Sequence, residues 1–210
     1  MTKIACFGYR DWAIRIFKQL ETMKAICEIT NAQDADVILF YGWSAMIPEE
    51  LYKNKLCLVL HPSPLPKYRG GSPIQHQIIN GEKESAVTIF KATDQLDAGV
   101  IYTQTEFSLE GSLDDIFDRI VQIGIEDTRD ILSRYEFMRP LVQDEVEATT
   151  YKRRTPDQSE IFSYDFQTKT AEELYNLIRA LNDPYPNAFI KCRDGSKLYI
   201  TGAHLESQED

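Results

Sequence analysis

Two apolar runs, Val37 to Tyr41 and Leu56 to Leu60, constrain this chain more than any other feature. Neither alternates with polar residues, so both read as strands covered on two faces, the mark of a sheet between helical layers. Lys3 to Phe7 supplies a first strand and Ala25 to Ile29 a second. Between them Trp12, Ile14, Ile16, Phe17 and Leu20 recur at nearly helical spacing. The order predicts a parallel α/β sheet. Gly8-Tyr9-Arg10-Asp11 forms the first connection, with Asp11 as its expected N-cap, and the absence of GxGxxG argues against a dinucleotide site.

Further on, Pro73 to Asn80 reads as a short helix ended by Gly81. Ala86 to Phe90 and Val100 to Phe107 read as strands bracketing the Thr93 to Asp97 loop. Ser112 is placed to cap a long helix whose Leu113, Ile116, Phe117, Ile120, Gly124 and Ile131 share one face. Residues 144–160 are polar and carry Tyr151-Lys152-Arg153-Arg154-Thr155-Pro156-Asp157, a charge cluster expected on a solvated surface. Thr170-Ala171-Glu172-Glu173 is a capping box opening a helix with Leu174, Leu177, Ile178 and Leu181 on one side. A hairpin, Ala188 to Cys192 and Lys197 to Thr201, turns at Asp194-Gly195. These boundaries divide the chain into a main domain, 1–140, and a connector with a small helix-plus-hairpin subdomain, 141–210.

Composition limits the function. No apolar run approaches the roughly 20 residues of a membrane helix, and the N-terminus enters a strand at once without a secretory signal, so a soluble cytoplasmic protein is expected. Cys6, Cys27, Cys57 and Cys192 are scattered without CxxC, and His61, His76 and His204 lie at no zinc spacing; neither disulfides nor a metal is expected. The formal net charge of -10 repels nucleic acid at long range.

The chemistry concentrates where the Leu56 to Leu60 strand ends. His61 follows it directly, and Pro62, Pro64 and Pro66 stiffen the loop beyond; Asp97 lies in Leu96-Asp97-Ala98-Gly99. An imidazole near neutrality moves protons, and a carboxylate beside it orients the ring and stabilises its charged form.

Leu60-His61-Pro62-Ser63-Pro64-Leu65-Pro66-Lys67-Tyr68-Arg69-Gly70, then Ser72-Pro73-Ile74-Gln75, Gly81, Val87-Thr88-Ile89-Phe90, Asp94 and Leu96-Asp97-Ala98-Gly99-Val100-Ile101 together resemble the core of the folate-dependent formyltransferases. That family includes enzymes acting on methionyl-tRNA, glycinamide ribonucleotide and amino sugars. The resemblance implies a Rossmann-like, mostly parallel α/β domain, the formyltransferase fold, and transfer of a formyl group from N10-formyltetrahydrofolate, without a metal, to a primary amine. Tyr151 to Pro156 and Leu174 to Phe189 are similar to the corresponding segment of sugar-nucleotide N-formyltransferases. The expected acceptor is therefore a nucleotide-linked amino-deoxysugar, a 4-amino-4,6-dideoxysugar of surface polysaccharide synthesis. The chain's end at Asp210 and its acidic last residues argue against tRNA. Alternatives are a formyltetrahydrofolate hydrolase and a folate- or nucleotide-binding homologue with impaired catalysis. A homodimer is expected, with the appendage as one possible interface.

By the same resemblance His61 and Asp97 are the catalytic pair. Trp43, Met46, Ile47, Leu65 and Asp94 are assigned to the folate pocket. Tyr9, Arg10, Ser63, Lys67, Tyr68, Arg69, Gly70, Gly71 and Tyr185 are assigned to the acceptor side, with loop-building as the alternative for Arg69. One position departs from the family. Val59 stands where an asparagine amide helps hold the formyl oxygen, so that Gln75, Gln77, Asn80, Ser63 or a backbone N–H substitutes for it, activity is reduced, or the arrangement dispenses with that donor.

Overall fold

The computed structural model describes residues 1–206; the acidic end at 207–210 lies outside them. Ten strands and six α-helices follow in chain order. They are β1 (Thr2–Phe7), α1 (Asp11–Thr22), β2 (Cys27–Ile29), β3 (Val37–Tyr41), α2 (Glu49–Asn54), β4 (Leu56–His61), β5 (Arg69–Gly70), α3 (Pro73–Ile79), β6 (Glu84–Lys91) and β7 (Ile101–Ser108). After these come α4 (Leu113–Arg134), β8 (Thr150–Tyr151), α5 (Asp165–Thr168), α6 (Ala171–Ala180), β9 (Ala188–Lys191) and β10 (Lys197–Ile200).

The main sheet has the order β2-β1-β3-β4-β6-β7. Its first four strands are parallel, as their apolar runs predict, while β6 and β7 are antiparallel to their neighbours. Every residue of β3 is buried. Val37, Leu39 and Tyr41 join Ile16, Leu20, Leu58, Leu60 and Ile120 in the core beneath α1 and α4. Ile38 and Phe40 face the other way, with Ala5, Cys57 and Ala92, against Leu51 and Tyr52 of α2. Each fully buried Leu or Ile here contributes roughly 1.5–3 kcal/mol of apolar transfer. Gly124 of α4 faces Ile16 and Leu60, and an added Cβ would lie 2.6 Å from the Ile16 Cδ1. Absence of a side chain lets α4 sit close to α1 and β4.

The Thr170–Glu173 capping box forms as read, and Ser112 caps α4 as read, completing a box with Asp115. The α1 N-cap is Arg10, not Asp11, which is the first helical residue and complements the helix dipole instead. Helix α2 carries no buried residue and no apolar periodicity, so sequence pattern did not reveal it. Ile161, Leu177, Ile178, Leu181 and Ala188 form a small separate core under α6 and the β9–β10 hairpin. Among the described residues no helix is long and apolar enough to cross a membrane, and no cluster of three or more His, Cys, Asp or Glu is arranged to hold a metal.

Strand order places the site. The chain runs from β1 outward to β2 and then returns to β3 on the other side, so a crevice opens at the carboxyl ends of β1 and β3. Three loops meet there: Gly8 to Arg10 after β1, Gly42 to Met46 after β3, and the loop that leaves His61 at the end of β4.

Candidate active site

His61 pairs with Thr88 of β6, and the loop after it is pinned from several sides. The Thr88 hydroxyl donates to the Ser63 carbonyl at 2.6 Å, Gln77 Nε2 to the Pro62 carbonyl at 3.0 Å, and Gln104 Nε2 to the Leu65 carbonyl at 2.8 Å. The loop therefore closes back on the histidine. His61 Nε2 lies 2.8 Å from the Tyr68 carbonyl, and because a carbonyl only accepts, Nε2 carries the proton. In the neutral ring Nδ1 is left as the base. It faces Asp97 Oδ2 at 3.6 Å, with side-chain exposures of 9% and 14%.

That separation exceeds a hydrogen bond. Two acceptors, the imidazole Nδ1 and the carboxylate Oδ2, flank this largely buried gap, so a ligand with two N–H donors can bridge them. Asp97 takes a left-handed backbone, φ 49°, and its Oδ2 also accepts the Gly70 N–H at 2.8 Å. The carboxylate thereby holds a fixed place beside the ring.

Two cavities meet at His61, and Asp97 lines the larger of them. The larger, about 440 Å³, is lined by Phe40, Trp43, Met46, Ile47, Val59 and the 93–97 loop. The smaller, about 110 Å³, is lined by Tyr9, Arg10, Gly42, Ile74, Gln75, Phe117 and Tyr185. Trp43, Ser44, Leu60, His61, Gly70 and Arg153 border both. The Trp43 ring packs against Phe7, Tyr9 and Phe40. The Tyr9 phenol bonds to the Ser44 hydroxyl; that bond, with lesser help from Arg10 and Arg153, holds its pKa below the ordinary value against some burial. Burial raises that of Tyr185.

Of the residues expected to contact folate, Trp43, Met46, Ile47 and Asp94 line the larger cavity. Leu65 does not: it is buried with Phe90 and Ile101 behind Val59. On the acceptor side Tyr9, Arg10, Gly70 and Tyr185 line the smaller cavity and Gly71 the larger. Ser63, Lys67, Tyr68 and Arg69 border neither, and they build the loop instead. The Ser63 hydroxyl donates to the Lys67 carbonyl at 2.8 Å, and Lys67 faces Glu147 at 3.9 Å. Tyr68 donates to Glu82 at 2.7 Å, and burial pushes its phenol up to about 12. Arg69, 6% exposed, turns its guanidinium to Gln143 and Glu145.

Most of the side chains that could replace the absent asparagine are already engaged. Gln77 Nε2 is held by Pro62 and Pro73, Asn80 Nδ2 by Tyr68 and Tyr151, and Ser63 by Lys67. Gln75 lines the smaller cavity, where its side chain bonds to the Tyr185 phenol.

Sequence pattern missed the segment 150–153. Its cations are not simply a solvated face: β8 pairs parallel to β5, and Tyr151, Lys152 and Arg153 wall the larger cavity. The signal was the Gly70-Gly71 pair. A Cβ at Gly70 would lie 2.2 Å from the Tyr151 carbonyl oxygen, and one at Gly71 2.5 Å from the Arg153 Cα, so these glycines admit another stretch of the chain. The Tyr151 ring of that strap stacks on Tyr68 at 5.0 Å, and His76 meets it at a tilt at 4.6 Å.

Comparison with known proteins bears on the same residues. Residues 15–123 match the family described as Formyl transferase, and residues 157–210 match Formyl transferase, C-terminal domain. A methionyl-tRNA formyltransferase of Lysinibacillus sphaericus is 36% identical over 169 residues, 77% of this chain and 52% of that protein. The chain spans about half the length of the curated relatives it matches. The methionyl-tRNA formyltransferase from Clostridium thermocellum superposes with a TM-score of 0.84 at 29% identity, covering 100% of this chain and 96% of that one. A sugar N-formyltransferase from Shewanella sp. gives 0.79 at 18% identity, covering 99% and 100%; at that identity the likeness is one of fold.

Proposed function

The chain belongs to the formyl transferase family, and on that premise we propose that it moves the formyl group of N10-formyltetrahydrofolate to an amine at His61. The observation that carries the reading is the His61 Nδ1 and Asp97 Oδ2 pair, 3.6 Å apart beside the junction of two cavities. The larger cavity has the volume and apolar wall suited to a bicyclic ring. The smaller one admits the amine. Attack forms the new N–C bond and a tetrahedral centre; collapse breaks the bond between that carbon and N10, and tetrahydrofolate leaves with a proton at N10.

The ammonium formed by attack has N–H donors for both acceptors. His61 Nδ1 takes one proton, Asp97 stabilises the imidazolium, and the leaving nitrogen receives a proton as the bond breaks. Proton transfer of this kind contributes roughly 10²- to 10⁴-fold in rate. With Val59 offering no amide, the oxyanion is assigned to Gln75 or to a backbone N–H at the junction.

As acceptor we infer an amino-deoxysugar linked to a nucleoside diphosphate. Arg10 and Arg153 place two cations on the smaller cavity of a chain whose formal net charge is -10, suited to a compact diphosphate. Tyr9, Trp43 and Tyr185 offer aromatic faces to a sugar or base. A second reading, the amine of methionyl-tRNA, is favoured by the 36% identical relative. Incubation with N10-formyltetrahydrofolate and a panel of amino-sugar nucleotides and methionyl-tRNA, followed by mass spectrometry, separates the two. A formylated sugar nucleotide is expected. Formylation of the aminoacyl-tRNA alone overturns the sugar assignment, and formate release without any acceptor points to a hydrolase.

A further inference from the structure

Gln143 lies in the connector after α4, outside every motif discussed above, yet it is 5% exposed between Val142 at 83% and an exposed Asp144. The apolar residue faces solvent and the amide is buried. Such an inversion requires specific partners for the amide. Gln143 Nε2 donates to the Asp97 carbonyl at 2.9 Å and to the Gly99 carbonyl at 2.8 Å. Its Oε1 accepts from Arg69 Nε at 3.1 Å and from a terminal Arg69 nitrogen at 2.7 Å. Both donors and both acceptor positions of the side chain are used.

These bonds close a ring. The Asp97 carboxylate accepts from the Gly70 N–H, Gly70 follows Arg69, Arg69 grips Gln143, and Gln143 returns to the Asp97 backbone. Asp97 is thus held at its side chain by one loop and at its carbonyl by another, in a left-handed conformation that a free chain rarely visits. Two bonds between Leu141 and Ile101, each 2.8 Å, deliver Gln143 to this position.

We propose that Gln143 is a positioning residue that sets the Asp97 carboxylate against His61 by gripping the backbone of the 97–99 loop. It lines neither of the two cavities and acts through Asp97. For its effect on rate the proposal rests on the formyl-transfer reading above.

Gln143→Glu separates positioning from structure. The carboxylate keeps Arg69 paired but turns oxygens, not N–H groups, toward the Asp97 and Gly99 carbonyls. Gln143→Met removes both interactions at similar volume, and Glu145→Gln weakens the Arg69 pair while leaving the grip on Asp97. The expected result for Gln143→Glu is a melting temperature a few degrees below wild type, since two carbonyls lose their N–H partners, with kcat at 25 °C lower by about 10- to 100-fold, the acceptor KM little changed, and faster hydrogen exchange at Gly70 and across 93–100. Gln143→Met is expected to lose both kcat and melting temperature, and Glu145→Gln to lose some melting temperature with wild-type kcat. Wild-type kcat or wild-type exchange in Gln143→Glu overturns the proposal. If the wild-type protein formylates no acceptor, the transfer reading fails and exchange in Gln143→Glu alone decides the positioning claim.

Discussion

Replacing Gly70 by alanine strikes the loop that faces His61 at its tightest point. Gly70 has φ 96°, and an added Cβ would lie 2.2 Å from the Tyr151 carbonyl oxygen, which already accepts the Gly71 N–H at 2.9 Å. The strap cannot withdraw without breaking that bond, and the loop cannot withdraw without lifting the Gly70 N–H from Asp97. The left-handed backbone costs an alanine about 1–2 kcal/mol and the charge-assisted bond is worth about 1.5–3 kcal/mol, so destabilisation of about 3–5 kcal/mol is expected. Gly81→Ala is the control: φ is 82°, nothing lies within 4 Å of the added Cβ, and only the backbone cost of about 1–2 kcal/mol applies. Urea unfolding followed by circular dichroism measures both. At roughly 2–4 °C per kcal/mol, Gly70→Ala also melts about 10 °C lower than wild type. A Gly70→Ala protein no less stable than Gly81→Ala would refute the close approach of strap and loop.

Val59→Asn supplies the amide that the family resemblance leads one to expect. With the oxyanion already assigned to Gln75 or a backbone N–H, saturating single-turnover rates are expected to stay within a few-fold of wild type, at a stability cost of about 1–2 kcal/mol because Val59 packs on Leu65 and Phe90; a rate higher by about 10²-fold would mean that no donor serves the oxyanion in the wild type. Burial, with a smaller push from Arg154 and against its bond to the Lys152 carbonyl, lowers the His76 pKa below the ordinary 6.5. The unfolded chain therefore takes up the proton first. Stability from neutral His76 is full above about pH 6.5 and is lost as pH falls toward the folded value, so urea unfolding of His76→Gln should weaken less between pH 7 and pH 5 than that of wild type.

The layers of the fold were legible because burial on two faces writes itself as uninterrupted apolar runs in β3 and β4, and because the caps at Ser112 and Thr170 use side chains adjacent in sequence. His61 and Asp97 were legible through the loops around them. What escaped depends on pairing across long separations. A two-residue β8 laid on β5, a six-residue α2 without a buried side chain, and Gln143 buried between exposed neighbours leave almost no periodic trace. Arg69 and Ser63 sit inside the most informative motif, yet they bind its own loop, since a rigid turn needs internal partners as much as a ligand does.

The central claim is that His61 and Asp97 act together at the junction of the two cavities. Single-turnover formyl transfer by His61→Ala and Asp97→Asn, with tetrahydrofolate affinity measured by calorimetry on the same proteins, tests it most directly. Rates are expected to fall by at least about 10²-fold in both variants, with folate affinity within a few-fold of wild type. Undiminished transfer in either variant would contradict it.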